Sequence, residues 1–119
     1  MKEKEVRRDS RYHRLFGLKA AKEAAKILKI FEKECPNDHA PRLAIQAIQS
    51  RAEGKRKLNL KEVRKLSLDA HASARKAKSD IAKYAAHAAG QAVATWHVPT
   101  HALSAFRYIG KAMENKKSK

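Results

Sequence analysis

Twenty-seven of the 28 lysine and arginine side chains lie outside residues 79–106, a stretch that also holds a single acidic residue. A segment of that length with almost no charge must be covered by the rest of the chain in water, so it marks the centre of whatever fold forms. Within it Ile81, Ala82, Ala85, Ala86, Ala88, Ala89, Gly90, Ala92, Val93, Ala94 and Trp96 leave little polar face, and a helix apolar nearly all round is a buried one. Ser79 or Asp80 is placed to cap it, and Val98-Pro99-Thr100 breaks it. The segment is mostly alanine and carries Lys83, His87, Gln91 and His97, which argues against a membrane span. The charged start, Met1-Lys-Glu-Lys-Glu-Val-Arg-Arg, does not read as a secretory signal.

Leucine, isoleucine, valine and phenylalanine total 22 of 119 residues, and with a net charge of +16 that composition usually warns of disorder. Another 22 residues are alanine, the strongest helix former and a side chain small enough to let helix backbones approach. The length fits one domain. The spacing predicts an all-α fold, a compact bundle of about five helices arranged as helical hairpins around the uncharged one. Its expected bounds are 15–114, with a basic, partly disordered arm over 1–14 and a basic tail over 115–119.

The first helix is expected from Leu18 to about Cys35, with Ala21, Ala24, Leu28 and Phe31 inward and Lys19, Lys22, Lys26, Lys29 and Lys33 outward. Cys35-Pro36-Asn37-Asp38 ends it. A second helix, with Asp38 or His39 at its cap and Pro41 in its first turn, buries Ala44, Ile45, Ile48 and Ala52 and stops at Gly54. Asn59 caps a third, in which Glu62 makes a box-like pattern and Val63, Leu66, Ala70, Ala74 and Ala77 face inward to about Lys78. Beyond Pro99, Ala102, Leu103, Phe106, Ile109, Gly110 and Met113 outline the fifth.

Two groups of residues are candidates for function. On the buried helix Lys83, His87, Gln91 and Thr95 recur every four residues and share a face. Arg64, His71 and Arg75 form a comparable stripe on the third helix, and His97, His101 and Tyr108 surround the start of the fifth. If these faces meet, imidazoles and an arginine line a pocket for a partner, a metal or a small ligand. Otherwise they bond helix ends inside the core. The four-residue spacing of His97 and His101 suits a shared metal, with His71 or His87 as third ligand, but Pro99 interrupts the helix between them. A bond from His97 to the backbone of Pro99 or Thr100 is the competing use. With no paired carboxylates and no glycine-rich phosphate loop, the chain is expected to be no enzyme and to need no cofactor.

Cys35 is the only cysteine, which excludes an intramolecular disulfide and fits a reducing cytoplasm. At the end of a lysine-studded helix it is either a thiol of lowered pKa or a small apolar residue. The second group, Lys55, Arg56, Lys57, Lys61, Arg64 and Lys65, suits phosphates, an acidic protein patch, or simply solvent. Aromatic residues are not interleaved with it, so nothing supports base reading.

The run Ala85-Ala-His-Ala-Ala-Gly-Gln-Ala-Val-Ala-Thr-Trp-His-Val-Pro-Thr-His-Ala-Leu resembles the Ala-rich signature of the family of bacterial "putative immunity proteins". Ala40-Pro-Arg-Leu-Ala-Ile-Gln-Ala is similar to that family's Arg-Pro-Arg helix start, and Asp69-Ala-His-Ala-Ser-Ala-Arg to its Ala-Ala-His segment. The resemblance covers about residues 15–112 and implies an all-helical fold that neutralises a cognate toxin by direct binding. It carries over Arg42, His71, Arg75, Gly90, Thr95, His97 and His101. Ala40 replaces a proline of the pattern, and the positive charge is opposite to that of an inhibitor imitating nucleic acid. The leading expectation is therefore a non-enzymatic helical protein docking an acidic protein partner, a toxin on the family's terms. Nucleic-acid binding through the basic face and a His-lined metal or small-ligand pocket are the alternatives.

Overall fold

The buried-helix reading places one element at the centre, and the packing follows it. The structure, a computed structural model, describes residues 11–97 and 101–117. Five helices form, α1 (Arg11–Glu34), α2 (Ala40–Ala52), α3 (Leu60–Lys76), α4 (Asp80–Ala94) and α5 (His101–Lys117), and with no strand among the described residues the fold is all-α. α4 packs on all four others. Around it α5, α1, α2 and α3 follow in order, each touching the next, and the two ends of that order, α5 and α3, do not meet among the described residues. α4 is thus wrapped by helices except along one seam. Ala82, Ala85, Ala86, Ala88, Ala89 and Ala92 are fully buried, since small side chains alone let four backbones crowd one axis. Leu28, Phe31, Ile45, Ile48 and Val93 supply the bulk of the core; removing a side chain of that size from such a site costs about 2–5 kcal/mol.

The helix ends follow from local chemistry. The Asn59 side chain accepts from the Glu62 N–H at 2.8 Å, and the Ser79 hydroxyl from the Ala82 N–H at 3.2 Å, each cap contributing about 1 kcal/mol. Glu62 does not complete the expected box, because its carboxylate accepts from Arg56 at 3.1 Å. α2 stops where Gly54 takes a φ of 76°, letting the Gly54 and Lys55 N–H groups donate to the carbonyls of Arg51 and Ser50 at 3.0 and 2.8 Å. Glu34 at the end of α1 accepts from the Lys78 and Ser79 N–H groups at 2.7 and 3.3 Å, tying α1 to the α3–α4 turn.

Several expectations change in detail. α1 begins at Arg11, inside the segment read as an arm, and α5 runs to Lys117, into the segment read as a tail. The rest of both segments, and the Val98-Pro99-Thr100 break, lie outside the described residues. α3 ends at Lys76, because the Ala77 backbone turns extended ahead of the Ser79 cap. Ala52 and Leu66 are only half-buried, while Ala47 is fully buried. The activated-thiol reading of Cys35 fails: partial burial first, then Glu34 and Asp38, push the thiol pKa up.

Candidate functional site

Lys83, His87 and Gln91, half-buried on α4, lie along the seam that no helix covers. From α3, His71 brings its Nδ1 to 2.6 Å from Nδ1 of His87, the ring centroids 4.8 Å apart. From α5, Tyr108 stacks on His87 at 5.0 Å and 25°. Helices that never touch are therefore joined through rings anchored on α4. Tyr84 extends the cluster, 6.4 Å from Tyr108 and with Lys111 Nζ 5.7 Å from its ring centre. One turn along, His101 Nδ1 lies 2.6 Å from the Gln91 side-chain oxygen, so His101 carries its proton on Nδ1 and donates it. The Ser67 hydroxyl donates to the Gly90 carbonyl at 3.0 Å. Gly90 is what admits His71, since a Cβ there would sit 2.7 Å from its Nε2.

The electrostatics of this cluster are those of a desolvated, neutral site. Burial, with His87, Arg75 and His101 adding to it, lowers the His71 pKa to about 4. His87 is pushed down by burial and then by Arg75 and Lys83, and His101 by burial and then by His97. The imidazoles are thus uncharged at neutral pH, and of the two facing Nδ1 atoms one donates its hydrogen to the lone pair of the other. Among the described residues no group of three or more His, Cys, Asp or Glu side chains gathers as metal ligands. The arrangement can bridge helices and offer polar edges to a partner.

Beside the seam, where α3 begins and α4 ends, lies an open groove of about 340 Å³ walled by Leu60, Val63, Leu68 and Ala94, with Arg64, Ser67, His97 and His101 bordering it. Leu68 is 66% exposed. The basic stretch continues from this groove through Lys61 and Lys65 to the loop of Lys55, Arg56 and Lys57, all exposed. Lys55 pairs with Glu53 at 3.7 Å, Arg56 with Glu62 at 3.1 Å and Lys65 with Asp69 at 2.7 Å.

His71, His87, Gln91, His101 and Tyr108 come together as a cluster, Arg75 stands exposed at its edge, and His97 is exposed on the groove. Thr95 does not join them. It is fully buried, its hydroxyl donating to the Ala92 carbonyl at 2.7 Å, and it faces Gly17 of α1. Four-residue steps overshoot a helical turn by roughly 40° each, so three steps from Lys83 carry the stripe off the seam. Arg42 lies elsewhere too, its guanidinium bonded to both Glu32 carboxylate oxygens at 2.6 and 2.9 Å between α1 and α2. That contact holds the Glu32 carboxyl below its ordinary range. Sequence reasoning missed Ser67, Leu68 and Tyr84. Ser67 stands one turn before His71 and Tyr84 one turn before His87, and those intervals put each on the face of its histidine.

No curated protein and no solved structure matches the chain. None of the described helices is long and apolar enough to cross a membrane. A family model described as "Imm-5 like putative immunity protein" matches residues 9–119, all five helices and the whole seam included, and the chain belongs to that family.

Proposed function

We propose that the chain is a non-enzymatic binding protein of the cytoplasm that neutralises a toxin protein by docking it through α3. The observation that carries this reading is the juxtaposition on one exposed face of Leu68, the apolar groove and the cations Lys61, Arg64 and Lys65. An apolar anchor inside a charged rim is the ordinary anatomy of a protein interface, and the sign of the rim selects an acidic partner. Family membership supports a protein partner. The seam is then the scaffold that holds α3 in place.

The test is co-purification of partner and chain after nuclease treatment, repeated with Leu68→Glu. The expected result is a complex that resists nuclease and weakens at least tenfold in the variant, with the melting temperature unchanged. The +16 charge favours a second reading, nucleic-acid binding. It predicts instead affinity for arbitrary DNA that falls steeply with salt and is indifferent to Leu68→Glu.

A further inference from the structure

The outward face of α1 carries a row of cations that the helix packing leaves to solvent. Lys19, Lys22, Lys26, Lys29 and Lys33 are all exposed, and steps of three and four residues hold them within about 80° of the helix circumference over roughly 21 Å of its length. The carboxylates of the same helix are mostly engaged elsewhere. Glu32 accepts from Arg42 and Glu34 from the Lys78 and Ser79 N–H groups, which leaves Glu23, 3.2 Å from Lys26. Lys19, Lys22, Lys29 and Lys33 make no ion pair among the described residues. On the α2–α3 loop and α3, by contrast, Lys55, Arg56 and Lys65 each have a carboxylate partner. Leu15 lies in line with the row, one turn before Lys19, and is 48% exposed, with Phe16 beside it at 41%.

We infer that this ridge is a docking surface for an anionic lipid bilayer, with the lysine ammoniums on the headgroups and Leu15 and Phe16 reaching the apolar boundary beneath them. A straight, one-sided row meets a flat sheet of charge along its whole length, whereas a nucleic-acid duplex curves away from it. All five cations are lysines. An ammonium on a flexible stem suits headgroups that move and exchange, while phosphates fixed in a backbone favour the arginine fork. Each lysine held near an anionic membrane surface strengthens binding about fivefold. Charge alone attaches reversibly, and the exposed apolar pair supplies the second signal that stable attachment needs. The contact is with the bilayer surface, since none of the described helices is long and apolar enough to cross it. α1 and α3 do not touch among the described residues, so the ridge is a surface apart from the α3 groove, and the inference holds whether or not that groove docks a protein.

The probes are vesicles of phosphatidylcholine alone and of phosphatidylcholine with about one-third phosphatidylserine, incubated with the full chain and pelleted across a salt series. Binding is expected to the mixed vesicles only, and to fall as salt rises. Lys22→Gln and Lys29→Gln are each expected to weaken it about fivefold, whereas Lys57→Gln and Lys61→Gln, which remove the same charge from the α2–α3 loop and α3, cost less than about twofold. Leu15→Ser is expected to weaken it about threefold with the salt dependence unchanged. All five positions are exposed, and melting temperatures equal to that of the parent chain check that each variant folds. No binding to the mixed vesicles would overturn the inference, as would equal losses from the α1 and α3 variants, which mark a diffuse effect of the +16 charge. A duplex DNA oligonucleotide is titrated in parallel. Losses on DNA as large as those on vesicles for the α1 variants, with Leu15→Ser changing neither, would give the ridge to nucleic acid instead. Failure of the α3 docking test leaves these measurements unaltered.

Discussion

The α3–α5 seam and the cationic rim handle polar side chains on a small alanine-rich bundle in opposite ways. In the seam, His71, His87 and His101 are taken partly out of water and held uncharged, and with Gln91 they bond across helices. On the rim, Lys57, Lys61 and Arg64 stay exposed and leave the helix packing to others. What separates them is tolerance: a desolvated network depends on every partner, a solvated face on none. The hardest test of that contrast is Gly90→Leu. The new side chain has to occupy the space of the His71 ring, 2.7 Å from where even a Cβ would lie. A loss of about 3 kcal/mol is expected, from overpacking plus the broken histidine pair. A thermal melt should show a fall of roughly 10 °C or more. An unchanged melt would mean that α3 does not pack on α4 as described.

Acid should separate the two regions next. His71 binds its proton with a pKa of about 4 in the fold against an ordinary 6.5, so between those values the unfolded chain holds more protons than the native one. Stability is then full above about pH 6.5 and is lost as pH falls towards 4, by up to about 3 kcal/mol from this residue. His87 and His101, lowered in the same direction, steepen the slope. Urea midpoints at pH 7.5 and 4.5 measure it. The slope should shrink in His71→Phe, and an identical slope there would show that the seam is not what titrates.

Much of this contrast could be read from the chain, and the unread part has physical causes. The charge gap over residues 79–106 located α4, and Asn59, Ser79 and Gly54 announced helix ends because capping and left-handed turns depend on residues adjacent in sequence. Which polar stripes meet is a matter of interhelical order. Lys83, His87, Gln91 and Thr95 look equivalent along one helix, yet only a ring of neighbours with one open edge decides that Thr95 is core and His87 is seam. Ser67 and Leu68 are adjacent on α3, and one bonds Gly90 while the other faces solvent.

A second glycine sets the limit of the seam. Gly110 also lies within a helix, α5, two residues beyond Tyr108, but it is exposed and a Cβ there would meet nothing within 4 Å. With no neighbour to displace, only backbone freedom in the unfolded chain and helix propensity remain, and both favour alanine. Gly110→Ala is therefore expected to stabilise the fold by about 0.5–1 kcal/mol, read as a higher urea midpoint with the same slope. The change is opposite in sign to that at Gly90, although both residues sit mid-helix. A loss of stability at Gly110 would mean that α5 is packed more closely on its outer side than the open space allows, and the seam would then have to be redrawn to include that face.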